Sequence, residues 1–290
     1  MVMLKTKSGK VVSKIGIGTW TIDKNNIDKE LEALNFYYQN GVNYIDVVLA
    51  YDNGKVLDVV NEFLKTIKRE DIFINAFITF GCNELSNVEA QIDYYLSKLN
   101  TNYLDCVTLH TVDVLGFSFN EYVAEICRLK ETGKFLNIGY SNLSPDQLNL
   151  VVGKCDIFEG LYNLECKHNE DNDIIDICKK NNIAFYAYQP LRRNRTALQN
   201  YPVLIDISNN YNMTQNQVLL NWMILHKKIG VMIKSSNVSH IAENLDSINY
   251  VIKKEDYLKL DNFRSEKFDN IVYSYVNEEG KIRIDQIPNQ

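Results

Sequence analysis

The stretch DKELEALNFYYQNGVNYID, residues 28–46, contains the unit that repeats along this chain. Its first part has apolar residues three or four positions apart, which predicts an amphipathic helix near 28–40. Asn40-Gly41 ends that helix, because glycine tolerates the positive φ of a helix C-terminus. The short run Asn43-Tyr44-Ile45-Asp46 then predicts a buried strand that ends on a carboxylate. The local pattern is therefore a helix, a glycine and a short strand with a polar end.

The same alternation of strand and helix continues over roughly 240 residues, about the length of a closed barrel domain. The predicted strands are 15–18, 43–46, 72–74, 104–109, 135–139, 157–162, 183–188 and 230–233. The predicted helices lie near 28–40, 54–66, 86–99, 119–132, 144–152, 171–181, 214–226 and 238–246. Eight alternations with such short strands predict an α/β fold, a (β/α)8 TIM barrel.

An open, doubly wound sheet is the alternative fold. Its dinucleotide-binding turn needs three glycines after the first strand, and Gly16-Ile17-Gly18-Thr19-Trp20 supplies only two. A hairpin around Ser8-Gly9 is expected to precede the barrel. We predict a barrel domain over 1–265 and a C-terminal extension over 266–290 with a possible second hairpin.

Composition narrows the class of protein. The chain has 290 residues, 46% of them hydrophobic, enough for one large α/β domain. A net charge of −6 with interspersed signs argues against a nucleic-acid partner. The short basic stretch Arg192-Arg193-Asn194-Arg195 is expected to be a solvated loop, and a phosphate-facing role is the alternative. The six cysteines have no CxxC pair or metal-like spacing, which indicates free thiols and no metal site. Without an apolar leader or membrane-length run, a cytoplasmic protein is expected.

Polar or aromatic residues stand at the ends of most predicted strands. They are Asp46 with the nearby Tyr51, His110, Ser141-Asn142, Asn163, Tyr188 and Lys234-Ser235. Residues at the C-terminal ends of barrel strands face the mouth where the loops converge, so this recurrence predicts a site there. The third run, residues 71–78, is the exception, because Phe77 stands near its end.

Six segments in this order resemble the aldo-keto reductase family. They are 16–20, 41–46 with Tyr51, 105–110, 139–142, 187–191, and 233–236 followed by 242–244. The resemblance implies hydride transfer between a nicotinamide, NADP or NAD, and a carbonyl. It assigns Tyr51 as the proton donor, Asp46 as its buried partner and His110 as the group that orients the carbonyl. A tyrosine of pKa ~10 needs such neighbours to act as an acid at neutral pH.

The resemblance also implies a set of cofactor contacts. Ser141, Asn142 and Asn163 would bind the carboxamide, Tyr188 would stack on the nicotinamide, and Thr19 and Trp20 would lie beside it. Lys234, Ser235 and His240 would face the 2′-phosphate. Glu243 and Asn244 would contact the adenine. Asn163 is one methylene shorter than the glutamine usual in the family.

Two positions depart from the family pattern in ways that affect the chemistry. Phe77 stands where the family keeps a lysine beside Asp46, and no Lys or Arg occurs between Arg69 and Lys98. We expect the pKa of Asp46 to rise and carbonyl reduction to slow by ~10²–10⁴. His240 replaces an arginine, whose planar fork holds phosphate better than an imidazole, so a weaker preference for the phosphorylated cofactor is expected.

Two functions of different classes remain open. The first is an NAD(P)(H)-dependent oxidoreductase with an incomplete proton relay, acting on a small carbonyl or sugar-like substrate. The second is a catalytically impaired barrel that binds a ligand or a protein partner. The sequence leaves the substrate and the oligomeric state undetermined, because barrels host many chemistries.

Overall fold

Eight parallel strands close into a barrel in the computed structural model, which describes residues 1–49, 51–78, 86–110 and 119–265. The barrel strands are β3 Ile15–Ile17, β4 Tyr44–Val48, β5 Phe73–Ile78, β6 Leu104–His110, β7 Phe135–Ser141, β8 Ile157–Leu161, β9 Ala184–Tyr188 and β10 Gly230–Ile233. Strands β9 and β3 both pair with β10, at Ala187↔Val231 and Ile15↔Val231, which closes the sheet. The predicted (β/α)8 barrel is confirmed.

The predicted N-terminal hairpin is also present, as β1 Met3–Lys5 paired antiparallel with β2 Val11–Ser13. It lies at the N-terminal end of the barrel, where Tyr186 donates a hydrogen bond to the Ser13 carbonyl (2.7 Å). Tyr44 stacks on the Tyr186 and Phe73 rings with centroids 4.3 and 5.3 Å away. Aromatic rings therefore fill this end of the barrel.

Helices surround the strands and bury their apolar faces against them. They are α1 Ile27–Gln39, α2 Val56–Leu64, α3 Ser86–Lys98, α4 Phe119–Lys130, α5 Pro145–Val151, α6 His168–Asp171, α7 Ile174–Lys180, α8 Arg195–Leu198, α9 Pro202–Tyr211, α10 Gln215–Asn221, α11 Val238–Asp246 and α12 Lys254–Asn262. Each predicted helix has a counterpart, while α8, α9 and α12 were not predicted. Within the described residues, no helix is long and apolar enough to cross a bilayer.

Local signals explain where several helices begin and end. Ser144 and Thr214 form capping boxes with the glutamine three residues later, which fixes the first turns of α5 and α10. Gly41 follows α1 with φ 82°. The predicted helix 171–181 is interrupted because Asp173 has φ 61°, and α7 begins only after it. The predicted C-terminal hairpin lies outside the described residues, and the 1–265 domain boundary stays a prediction.

Candidate active site

The catalytic candidates lie on and after β4 and at the end of β6; β4 continues to Val48, two residues past the strand end predicted at Asp46. Asp46 lies in β4 and is 8% exposed, and its Oδ1 accepts hydrogen bonds from the Thr19 backbone N–H (2.8 Å) and hydroxyl (3.3 Å). Tyr51 opens a short 3₁₀ helix after β4, with its ring centroid 5.2 Å from that of Trp20. The strand and the loop after β3 therefore hold Asp46, Tyr51, Thr19 and Trp20 in one region.

Burial controls the charge of these acids. Among the described residues, no cation pairs with Asp46, and burial raises its pKa although the Thr19 hydrogen bonds oppose the shift. Burial, and then the neighbouring Asp46, raise the pKa of Tyr51 well above its ordinary value. Both groups therefore favour their protonated forms.

His110 ends β6 and contacts the next strand. Its Nδ1 lies 3.2 Å from the Ser141 hydroxyl at the end of β7. Burial lowers the pKa of His110 to about 4, so the imidazole is neutral at pH 7. Phe77, which is 6% exposed, packs edge-on against His110 with ring centroids 5.9 Å apart. The apolar ring adds to the desolvation of the histidine.

Candidate cofactor residues lie at the ends of β7 and β9. Asn142 follows β7 with φ 58°, a conformation that asparagine tolerates better than most residues. Its Oδ1 accepts a hydrogen bond from the Tyr188 hydroxyl (2.9 Å) at the end of β9. Ser141, Asn142 and Tyr188 are thus brought together as an hydroxyl, an amide and an aromatic ring.

The Asn163 side chain forms hydrogen bonds with backbone groups of the protein. Its Oδ1 accepts from the N–H groups of Glu165 (3.0 Å) and Cys166 (2.9 Å), and its Nδ2 donates to the Gln189 carbonyl (3.2 Å). These bonds occupy both ends of the amide and fix the turn after β8. A carboxamide contact from Asn163 stays a prediction.

The predicted phosphate end follows β10. The Lys234 ammonium lies 2.9 Å from the Glu30 carboxylate on α1, and Ser235 and His240 flank it on the loop and first turn of α11. Glu243 accepts a hydrogen bond from the Thr214 hydroxyl (2.7 Å), and Asn244 is 8% exposed. The contact between Glu30 and Lys234 was not predicted, because the two residues are 204 positions apart in the chain.

A second interior carboxyl group was missed by the sequence analysis. Glu159 in β8 is 1% exposed, and its Oε1 accepts from the Tyr44 hydroxyl (2.7 Å) and Asn75 Nδ2 (3.0 Å). Asn75 pairs with Asp46 in the sheet register and accepts from the Thr108 hydroxyl. Burial and then Asp46 raise the pKa of Glu159. The sequence did contain a sign of this buried carboxyl group, because Glu159 interrupts the otherwise apolar run 157–161.

The basic stretch after β9 is exposed at Arg193, Asn194 and Arg195, as expected for a solvated loop, while Arg192 is half-buried. Arg192, with a side chain 14% exposed, pairs with the buried Glu165, and Arg193 lies over the Trp20 ring (4.9 Å to the centroid). Arg192, Arg193 and Asn194 all have positive φ, which costs backbone energy for non-glycine residues. Packing against Glu165 and Trp20 offsets that strain.

The parallel barrel thus carries Asp46 and the nearby Tyr51 on and after β4, and His110 at the end of β6. The model of the Aldo/keto reductase family matches residues 14–265. The chain belongs to the aldo/keto reductase family. The predicted family is confirmed. Within the described residues, no cluster of three or more potential metal ligands accompanies the site.

Two relatives illustrate the range of this family. Methylglyoxal reductase YeaE of Escherichia coli is 27% identical over 257 residues, which cover 85% of this chain and 89% of the relative. Glycerol 2-dehydrogenase (NADP(+)) of Saccharomyces cerevisiae is 25% identical over 297 residues, 91% of each chain. Among solved structures, an aldo/keto reductase from Klebsiella pneumoniae in complex with NADP and acetate superposes with a TM-score of 0.81 and 23% identity, covering 89% of this chain and 94% of that one.

Proposed function

We propose that this aldo/keto reductase is an oxidoreductase that uses NADP(H) or NAD(H) and acts on a small carbonyl or sugar-like substrate. The observation that supports this most directly is the division of the rim into two arcs. The catalytic candidates lie on or after β4 and at the end of β6. The cofactor candidates lie at or after the ends of β7 to β10 and after β3, which are consecutive strands of the closed barrel. An extended dinucleotide and a small substrate fit such a division.

The residues of the second arc are of the types that suit a nicotinamide dinucleotide. Ser141 and Asn142 offer polar atoms for a carboxamide, the Tyr188 ring offers a stacking surface, and the Lys234 ammonium, paired with Glu30, lies at the far end. A bound nicotinamide would supply the hydride. The Klebsiella pneumoniae structure with NADP supports NADP(H) as one form that the site takes.

The first arc would orient the carbonyl and supply the proton. When the Ser141 hydroxyl donates to His110 Nδ1, the ring proton resides on Nε2, which then orients a carbonyl oxygen. Tyr51 donates its phenolic proton to that oxygen. Asp46, whose own pKa burial raises, lies in the adjoining interior and raises the pKa of Tyr51 further, so it disfavours release of the phenolic proton.

We further propose that the proton relay is incomplete. Phe77 occupies the interior strand position where the family pattern has a lysine, so no ammonium there stabilises the ionised forms of Asp46 and Tyr51. A tuned proton donor contributes ~10²–10⁴ to the rate. Turnover of generic aldehydes is therefore expected to be slower than that of an intact relative by a factor of this size.

Titration of the purified protein with NADPH and NADH, followed by cofactor fluorescence, is the test. Micromolar binding followed by slow reduction of methylglyoxal or a sugar-like carbonyl is the expected result. Tyr51→Phe is the matched control and should bind cofactor normally without turnover. If neither dinucleotide binds at millimolar concentration, the oxidoreductase proposal fails.

The second candidate function is a barrel that binds a ligand or partner without catalysis. Phe77 favours this candidate, because it places an apolar ring beside His110 at the position where the family pattern has the lysine of the proton relay. Cofactor binding with no turnover in the wild type, even over a broad carbonyl panel, would select this alternative.

A further inference from the structure

Glu30 on α1 holds the residues that would face a cofactor phosphate. Its Oε1 accepts hydrogen bonds from the Lys234 ammonium (2.9 Å), the Ser236 hydroxyl (2.6 Å) and the Asp23 backbone N–H (3.0 Å). The Glu30 side chain is 3% exposed and that of Lys234 is 17% exposed. One carboxylate thus joins α1, the loop after β3 and the loop after β10.

This ion pair weakens the attraction of Lys234 for any other anion. An ammonium that leaves Glu30 for another anion abandons a buried carboxylate, and an uncompensated buried charge is strongly unfavourable. An anion that approaches without displacing Glu30 meets a pair with no net charge. In both cases Lys234 attracts a phosphate less than an isolated lysine would.

The other groups nearby are also committed to the protein. Asn237 caps α11 by accepting from the N–H groups of Ser239 (2.9 Å) and His240 (3.4 Å). The Ser235 hydroxyl donates to the Asn237 carbonyl (3.3 Å) and accepts from its N–H (3.1 Å). His240 offers an imidazole without the fork of an arginine. The first turn of α11 therefore presents few donors to a phosphate.

We propose that Glu30 is a specificity-determining residue that reduces selection for a 2′-phosphate, so that NADH and NADPH bind with similar affinity. This inference rests on the proposed function, because it requires that the dinucleotide extends to Lys234. NADPH differs from NADH by a phosphate monoester, and Glu30 neutralises the lysine that would bind this group.

The decisive variant is Glu30→Gln. Glutamine keeps an acceptor oxygen for Ser236 and Asp23 and removes only the negative charge, which releases the Lys234 ammonium. Wild-type affinities for NADPH and NADH are expected to differ by less than about tenfold. The variant should bind NADPH about ten- to thirtyfold more tightly, the scale of one charged hydrogen bond, and NADH within about twofold of wild type.

Two further variants distinguish the release of Lys234 from a general effect of removing a negative charge from α1. Glu32→Gln makes the same change at an exposed position two residues along α1 and should leave the NADPH/NADH ratio unchanged. In Glu30→Gln/Lys234→Met, the gain for NADPH should disappear, because the released cation is absent.

The outcomes distinguish the inference from the function on which it rests. Failure of every variant and the wild type to bind either dinucleotide removes the proposed function itself. Micromolar binding with an unchanged NADPH/NADH ratio in Glu30→Gln removes only the role of Glu30. If Glu30→Gln does not fold, the wild-type affinities provide the test. Wild-type binding of NADPH more than about a hundredfold tighter than that of NADH would contradict a neutralised Lys234.

Discussion

Carboxyl groups are buried both at the rim of the barrel and inside it, and their partners differ. At the rim, Glu30 pairs with Lys234 and Glu165 with Arg192. Inside, Asp46 and Glu159 accept hydrogen bonds from Thr19, Tyr44 and Asn75, and no described cation pairs with them. Burial disfavours an unpaired charge and raises the pKa of Asp46 and of Glu159, whereas each rim acid is packed beside a cation. Acids that are similarly buried thus differ in whether a cation is packed beside them to compensate the loss of water.

The largest expected effect comes from placing a cation in the interior. Phe77→Lys should bring an ammonium to the face that Asp46 occupies, lower the pKa of Asp46 and increase carbonyl turnover by ~10²–10⁴. The measurement is kcat/KM against pH with a saturating cofactor. Phe77→Met, similar in length but uncharged, is the control and should not accelerate turnover. Equal activity in the two variants would show that the missing charge is not what limits the rate.

Removing the charge of one acid in each region should have very different effects on stability. Glu165→Gln leaves Arg192 beside a neutral partner and should cost about 3 kcal/mol of unfolding free energy, as for other broken buried pairs. Glu159→Gln should change it by less than about 1 kcal/mol at pH 5, where the buried Glu159 carboxyl is protonated. Denaturant unfolding of both variants beside the wild type measures the contrast, and similar losses would refute it.

The interior acids should also give stability a distinctive pH dependence. Burial raises the pKa of Glu159, so the folded chain keeps a proton that the unfolded chain releases above pH ~4, and stability falls as the pH rises. His110 acts in the opposite direction: its pKa of about 4 lies below the unfolded value, so its contribution is lost as the pH falls below about 6.5.

Glu159→Gln isolates one of these contributions. Relative to the wild type, the unfolding free energy of the variant should increase by about 1.4 kcal/mol per pH unit between pH 5 and 7. Asp176→Asn, at an acid whose side chain is 61% exposed, is the control and should follow the wild-type curve. Parallel curves for Glu159→Gln and wild type would mean that Glu159 is ionised in the folded chain.

The smallest effect is expected for an exposed pair. Asp58 and Lys98 lie 3.1 Å apart with side chains 58% and 38% exposed. Solvent screens such pairs, so Asp58→Asn should change the unfolding free energy by less than about 0.5 kcal/mol. A loss approaching that of Glu165→Gln would show that burial does not separate the two kinds of pair.

Much of the fold was predictable because its signals are local. Periodicity and short apolar runs located the barrel strands, and capping residues such as Ser144 and Thr214 located helix starts. The helix α9 was missed although Pro202 stands at its first position, a usable start signal. The split before α7 depends on the left-handed conformation of Asp173, which no periodicity reveals.

The sequence by itself determined the eightfold alternation and the residues at the strand ends, because both follow from spacing along the chain. Only the tertiary structure decided that Asn163 is occupied by backbone groups, that Arg192 turns inward to Glu165 and that Glu30 reaches Lys234. It also decided that Glu159 lies beneath Asp46 without a cation. Charge state depends on desolvation and on neighbours from distant parts of the chain, which are set only when the barrel closes.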